Sequence, residues 1–107
     1  MSTFYLLNAP VLTDYGQWLF EGPITPEHAR ELIPDGFVSA IGHDTAAEFL
    51  AALLRCPVPV NRTRIIMHPG DQALVLRLQA RLPEGQVLDA TAMRELPFEL
   101  GLLSRTA

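Results

Sequence analysis

The stretch Ala73–Leu82, "ALVLRLQARL", is the clearest alternating segment of this 107-residue chain. Successive side chains of an extended strand point to opposite faces. Leu74, Leu76, Leu78 and Ala80 therefore share one face, and Arg77, Gln79 and Arg81 share the other. A strand of this kind needs neighbours to satisfy its main chain, and its leucine face needs an apolar layer against it. Two amphipathic stretches supply such a layer. In "TPEHARELI", Thr25 is the expected N-cap, Pro26 the first helical residue, and Glu27 the acid at the positive helix end. Ala29, Leu32 and Ile33 form its apolar stripe, and Pro34-Asp35-Gly36 ends it. In "TAAEFLAALLR", Thr45 and Glu48 fit a capping box. Phe49, Leu50, Leu53 and Leu54 face the core, and Pro57 and Pro59 prevent continuation.

The other strands follow from shorter signals. "STFYLLN" is apolar and β-rich, and reads as a first strand buried on both faces. "QWLFEG" reads as a second, ending at Gly22-Pro23, and "FVSAI" as a third. "NRTRIIMH" reads as a fourth, joined through the turn Pro69-Gly70-Asp71 to the alternating strand as an antiparallel hairpin. "PEGQ" is a further turn, "DATAMREL" a short helix and "FELGLLS" a last strand. The predicted order is β-β-α-β-α-β-β-α-β. The expected fold is α/β (α+β): one domain over residues 1–107, with a mixed sheet of about five to six strands and two to three helices packed against it.

Composition bounds the function. The formal charge of −4 disfavours a protein that tracks polymeric DNA or RNA by bulk attraction, but leaves room for a small anion in a local pocket. All eight basic residues are arginine, a side chain suited to bidentate phosphate contacts. No apolar run is long enough to span a membrane, and "MSTFYLLNAP" lacks the features of a leader. With a single cysteine, Cys56, the expected location is cytoplasmic, in a reducing compartment.

Several residues are candidates for chemistry. His43 stands where a strand hands over to a helix, after Gly42, which permits a sharp turn and close approach to a ligand. The first amides of a helix and its dipole favour an anion there. An imidazole beside a phosphate is suited to giving a proton to a leaving oxygen. The bland alternative is a structural or solvent-exposed histidine. On the expected hairpin, Arg62 and Arg64 share a side, as do Arg77 and Arg81. Four guanidinium groups on one face mean either a solvated surface or the lining of a polar cavity. Arg81 and Glu84 are either a surface ion pair or a catalytic pair beside a phosphate. Asn8 either ends a strand or contacts a ligand. His28, His43 and His68 lack metal-ligand spacing, and no GxGxxG, phosphate-binding P-loop or GxSxG motif is present, so neither metal nor cofactor is expected.

Five motifs then occur in order from about Phe4 to Leu103: "FYLLN", "FVSAIGH", "VPVNR", "GD-ALV" and "RLPEG". Together they resemble the small viral and bacterial ring nucleases of the type III anti-CRISPR kind, which degrade cyclic tetra-adenylate. The resemblance implies a metal-independent phosphodiesterase of a bacterial, archaeal or virus-infected cell, working as a homodimer. The ribose 2′-hydroxyl attacks its own 3′-phosphate, and the products are linear di-adenylates with a 2′,3′-cyclic phosphate. His43 matches the family's catalytic histidine, and Glu84 its acidic residue. Arg81, expected to join them in catalysis, and Arg62 match arginines that hold the ligand, and Asn8 matches a ligand-contacting amide. Gly42, Thr45, Ile65 and Arg77 complete the expected contacts. Where family members commonly carry Glu-Ser-Thr-Ala after the histidine, this chain has Asp44-Thr45-Ala46-Ala47, so that Ala46 replaces a hydroxyl. The apolar "FELGLLS" is a candidate dimer surface. Two other functions fit the same fold: a binding protein that sequesters the messenger without cutting it, and a protein–protein interaction module.

Overall fold

The computed structural model describes residues 2–78 and 98–107, with the main chain alone at Leu78. Their elements are β1 (Phe4–Leu7), β2 (Trp18–Ile24), α1 (Pro26–Leu32), β3 (Val38–Ser39), α2 (Asp44–Leu54), β4 (Gln72–Leu78) and β5 (Phe98–Arg105). The strands make one mixed sheet in the order β2-β5-β4-β1-β3. β1 runs parallel to both β3 and β4, while β5 is antiparallel to β4 and to β2. The expected α+β sheet with helices packed against it is the one observed.

Alternation decides what covers each face. Leu74 and Leu76 of β4, Phe4 and Leu6 of β1 and Leu100 of β5 meet Ala29 of α1 and Ala46, Ala47, Phe49, Leu50 and Leu54 of α2. Phe49 and Phe98 pack edge to face, with ring centres 5.1 Å apart. The opposite face carries Leu7, Ala73, Val75 and Leu103, packed, among the described residues, with Met67, Ile65 and Trp18. β1 is thus buried on both faces, as a strand flanked by parallel partners should be.

The start of α1 follows local rules. Thr25 is extended and its hydroxyl accepts from the His28 N–H at 3.1 Å, with Pro26 next in line. The Arg30 guanidinium donates to Leu53 O at 2.8 Å, near the carbonyl end of α2, which ties the two helices together.

Other expectations need correction. The segment 61–68 is not a strand and forms no hairpin with β4. β4 is already bonded by β1 on one side and β5 on the other, so no edge is left for it. The capping box at Thr45 and Glu48 is not used as expected. His43 is the extended N-cap (φ −125°, ψ 132°), its carbonyl accepts from the Ala47 N–H at 3.0 Å, and Thr45 already lies inside the first turn. β3 is shorter than "FVSAI", and β2 continues through the cis Gly22-Pro23 bond to Ile24 with an irregular register. "FELGLLS" is no outer surface: β5 lies between β2 and β4, and its leucines divide between the two cores. The expected turn "PEGQ" and helix "DATAMREL" lie outside the described residues.

Candidate functional site

Because β1 and β3 are parallel neighbours, their carboxyl ends open at the same side of the sheet. Asn8 and Ala9 leave β1 there, and Ala40, Gly42 and His43 leave β3 before α2 begins. Ligands of open α/β sheets sit in such crevices beyond the carboxyl ends of strands. A cleft of about 660 Å³ occupies this position, within the usual size range of ligand sites. Its walls include Asn8, Val11, Thr13, Gly42, His43 and Arg62 through Ile65.

Two segments close the cleft, and each is tied down. The residues after Pro59 run alongside the end of β3. There the Ser39 hydroxyl donates to Pro59 O at 2.6 Å, and Asn61 Nδ2 donates to Ser39 O at 2.8 Å. The Met67 N–H donates to Thr13 Oγ1 at 2.8 Å, joining this segment to the loop that follows β1. Arg105 braces that junction from behind. Its guanidinium donates to Met67 O at 2.6 Å and Tyr15 O at 2.9 Å, and lies 5.7 Å from the centre of the Trp18 ring.

The lining is cationic although the protein is acidic. Arg62 and Arg64 make it so, His43 stands beside them, and no Asp or Glu lines it among the described residues. Arg62 Nε donates to Gly42 O at 2.7 Å, which leaves its terminal nitrogens to face other partners. His43 is exposed at the start of α2, and its ring makes no capping bond. The exposed first amides of α2 add partial positive charge beside it. Among the described residues no three His, Cys, Asp or Glu side chains converge as metal ligands. Cys56 packs beside the helix-side core, where burial pushes its thiol up.

The cleft therefore gathers Asn8, Gly42, His43, Arg62 and Ile65. It does not gather Thr45 or Arg77. Thr45 sits in the first turn of α2, outside the lining. Arg77 lines a separate pocket of about 200 Å³ with Phe20 and Gly101, and stands in register with Glu99 across β4 and β5, an ordinary opposite-charge neighbour. Arg81 and Glu84 lie outside the described residues. Gly42 has a second part besides lining the cleft. Its backbone does not need a positive φ. A Cβ there would stand 3.0 Å from Arg62 Cγ, so its small size admits the arginine stem. Ala46, the methyl group expected to replace a ligand-contacting hydroxyl, is buried in the helix-side core. Arg64 and Thr63 are lining residues that the sequence reading did not select as ligand contacts, although Arg64 stood two residues from Arg62 in the same basic stretch.

Among the described residues, a mixed five-stranded sheet with two helices on one face and an arginine-bearing cleft at the carboxyl ends of its parallel strands defines a small α+β architecture. Within that class, the chain belongs to the STIV B116-like family, whose model matches residues 4–100. It is 46% identical to ORF117 of Acidianus two-tailed virus, covering 94% of this chain and 92% of that protein. Protein 26 of a Sulfolobus islandicus filamentous virus is 38% identical over 61% of this chain and 56% of its own length. The solved structure of B116 from Sulfolobus turreted icosahedral virus has the same fold. Its TM-score is 0.82 at 23% identity, covering 97% of this chain and all of that one.

Proposed function

We propose that the protein is a metal-independent ring nuclease that cleaves cyclic tetra-adenylate and so switches off type III CRISPR signalling. The observation that carries this reading is the cleft itself: Asn8, His43 and Arg62, distant in sequence, converge in a cationic crevice of an acidic protein. They are three of the residues through which the chain resembles ring nucleases.

The reaction uses an internal nucleophile. A ribose 2′-oxygen forms the new bond to its own 3′-phosphorus, and the bond from that phosphorus to the 5′-oxygen breaks. The 2′-hydroxyl loses its proton, and His43 donates one to the departing 5′-oxygen. A positioned histidine acid contributes on the order of 10² to 10⁴ in rate. Arg62 neutralises charge that builds on the phosphate oxygens, and the α2 amides act in the same sense. The resemblance assigns Arg81 and Glu84 to the same reaction, in holding the phosphate and in orienting the hydroxyl or the histidine. In sequence they follow β4, which runs parallel to β1 and ends at Leu78. The ring has two-fold symmetry, so an isologous homodimer offers it two matching halves.

The test is incubation with cyclic tetra-adenylate in EDTA, with products resolved by chromatography, for the wild type and His43→Ala. Wild-type cleavage to di-adenylates is expected, with turnover by His43→Ala lower by about 10² or more and binding retained. Tight binding by both without cleavage would identify a protein that sequesters the messenger. The absence of binding by either would remove the nucleotide reading and leave the interaction module.

A further inference from the structure

The chain beside the end of β3 contains Pro57 and Pro59, which have no N–H to give to a ladder. Side chains substitute for the missing donors. The Ser39 hydroxyl donates to Pro59 O at 2.6 Å and accepts from the Ile41 N–H at 3.4 Å. Asn61 donates twice, from Nδ2 to Ser39 O at 2.8 Å and from its main-chain N–H to Ile41 O at 2.8 Å. The contacts advance in step, pairing 39 with 59, 41 with 61 and then 42 with 62. This clasp decides which residue meets Gly42. A slip of one position would present Asn61 or Thr63 there instead of Arg62.

The bond that results has two effects. Arg62 Nε donates to Gly42 O at 2.7 Å, which directs the remaining guanidinium nitrogens. The Gly42 carbonyl also belongs to the planar peptide unit that carries the His43 nitrogen and Cα. Holding that oxygen holds the backbone from which the imidazole projects. Asn61 itself is not part of the cleft lining. Its removal therefore deletes no wall of the site.

We infer that Asn61 is a positioning residue: its side-chain amide sets the register that lays Arg62 on Gly42, and through that bond it aligns the guanidinium with His43. The kinetic consequence rests on the ring-nuclease reading; the register does not.

The test uses the full-length protein and two variants. Asn61→Asp keeps the shape but removes the Nδ2 donor, and Asn61→Ala removes the side-chain amide altogether. Exchange of the Arg62 Nε–H with water is followed by ¹⁵N NMR. Loss of the hydrogen bond is expected to speed this exchange by about tenfold in both variants. In single-turnover cleavage of cyclic tetra-adenylate, the maximal rate is expected to fall by about 10- to 100-fold, with Kd changed by less than about threefold. A lost ligand contact would instead raise Kd, and a merely structural role would lower melting temperature without touching the Arg62 signal. Wild-type exchange in both variants would overturn the proposal. So would faster exchange accompanied by an unchanged cleavage rate. If the wild type binds the ring without cutting it, the nuclease reading falls, and the Arg62 exchange alone decides for or against the register.

Discussion

At the scale of single residues, Gly101 is a position constrained from another strand. It sits in the middle of β5, where glycine normally weakens a strand. The reason lies on β2. A Cβ on Gly101 would stand 2.6 and 2.9 Å from two ring carbons of Phe20, and 3.2 Å from Glu21 O. The half-exposed phenyl ring lies directly over the glycine. Gly101→Ala must push the ring or part the two strands. We expect it to destabilise the fold by about 1–3 kcal/mol, as overpacking does. A thermal melt checks this, and Phe20→Ala in the same chain should restore part of the loss. An unchanged melting temperature would mean that the ring leaves at no cost. Glycine at this place answers to a neighbour on another strand, which no local pattern announces.

At the scale of elements, the junction between β1 and β4 depends on one acid. Asp71 is 3% exposed and closes the turn before β4. One carboxyl oxygen accepts from the Thr3 N–H and the other from the His68 N–H, both at 2.8 Å. It thus ties the start of β1 to the strand that pairs with it. Hydrogen bonds to charged groups contribute roughly 1.5–3 kcal/mol each, and orphaned buried donors are costly. We expect Asp71→Ala to destabilise by about 2–4 kcal/mol in denaturant titration. Asp71→Asn should lose nearly as much, because an amide offers one acceptor oxygen and turns its NH₂ toward the other donor. The same junction shows what was legible in the sequence. The Pro-Gly-Asp turn, the β4 alternation and the Thr25 cap depend on neighbours a few residues away; the turn and the cap are present, and the alternation is present as far as Arg77, residues 79–82 lying outside the described residues. The stretch after Pro59 was misread because strand pairing is a non-local choice. Alternation in "NRTRIIMH" is compatible with a strand, but both sides of β4 are taken by β1 and β5. The α2 start moved for a related reason: His43 emerges extended from the end of β3, so the helix begins before Thr45 can cap it. For the candidate site, motif order brought out His43, Arg62 and Asn8. The exclusion of Thr45 and Arg77 from the cleft depends on the helix start and on sheet order.

At the scale of the whole molecule, the surface beside the cleft is apolar. Val11 is 49% exposed, Leu12 65%, Tyr15 94% and Ile66 55%. Val11 lines the cleft, and Leu12 and Ile66 adjoin the lining residues Thr13 and Ile65. Leu12 and Tyr15 line a neighbouring pocket with Trp18, and exposed apolar groups beside a cleft are candidates for a contact surface. With β5 enclosed in the sheet, we propose that the surface around Val11, Leu12 and Ile66, rather than "FELGLLS", is the contact of the proposed homodimer. An isologous contact there would bring two cationic clefts to one two-fold axis, which matches the symmetry of a four-nucleotide ring. Light scattering after size exclusion should then give about twice the chain mass of 11.8 kDa. Calorimetric titration with cyclic tetra-adenylate, using His43→Ala to prevent turnover, should show one ring bound for two chains. Leu12→Glu and Ile66→Glu alter exposed positions, and each alone should leave the melting temperature within about 2–4 °C of the parent. Combined, they should produce a monomer that binds the ring at least about tenfold more weakly, because each chain then presents half a site. A parent protein that stays monomeric while binding one ring per chain would overturn the shared-site arrangement. A dimer that survives both glutamates would place its interface on another face of the sheet.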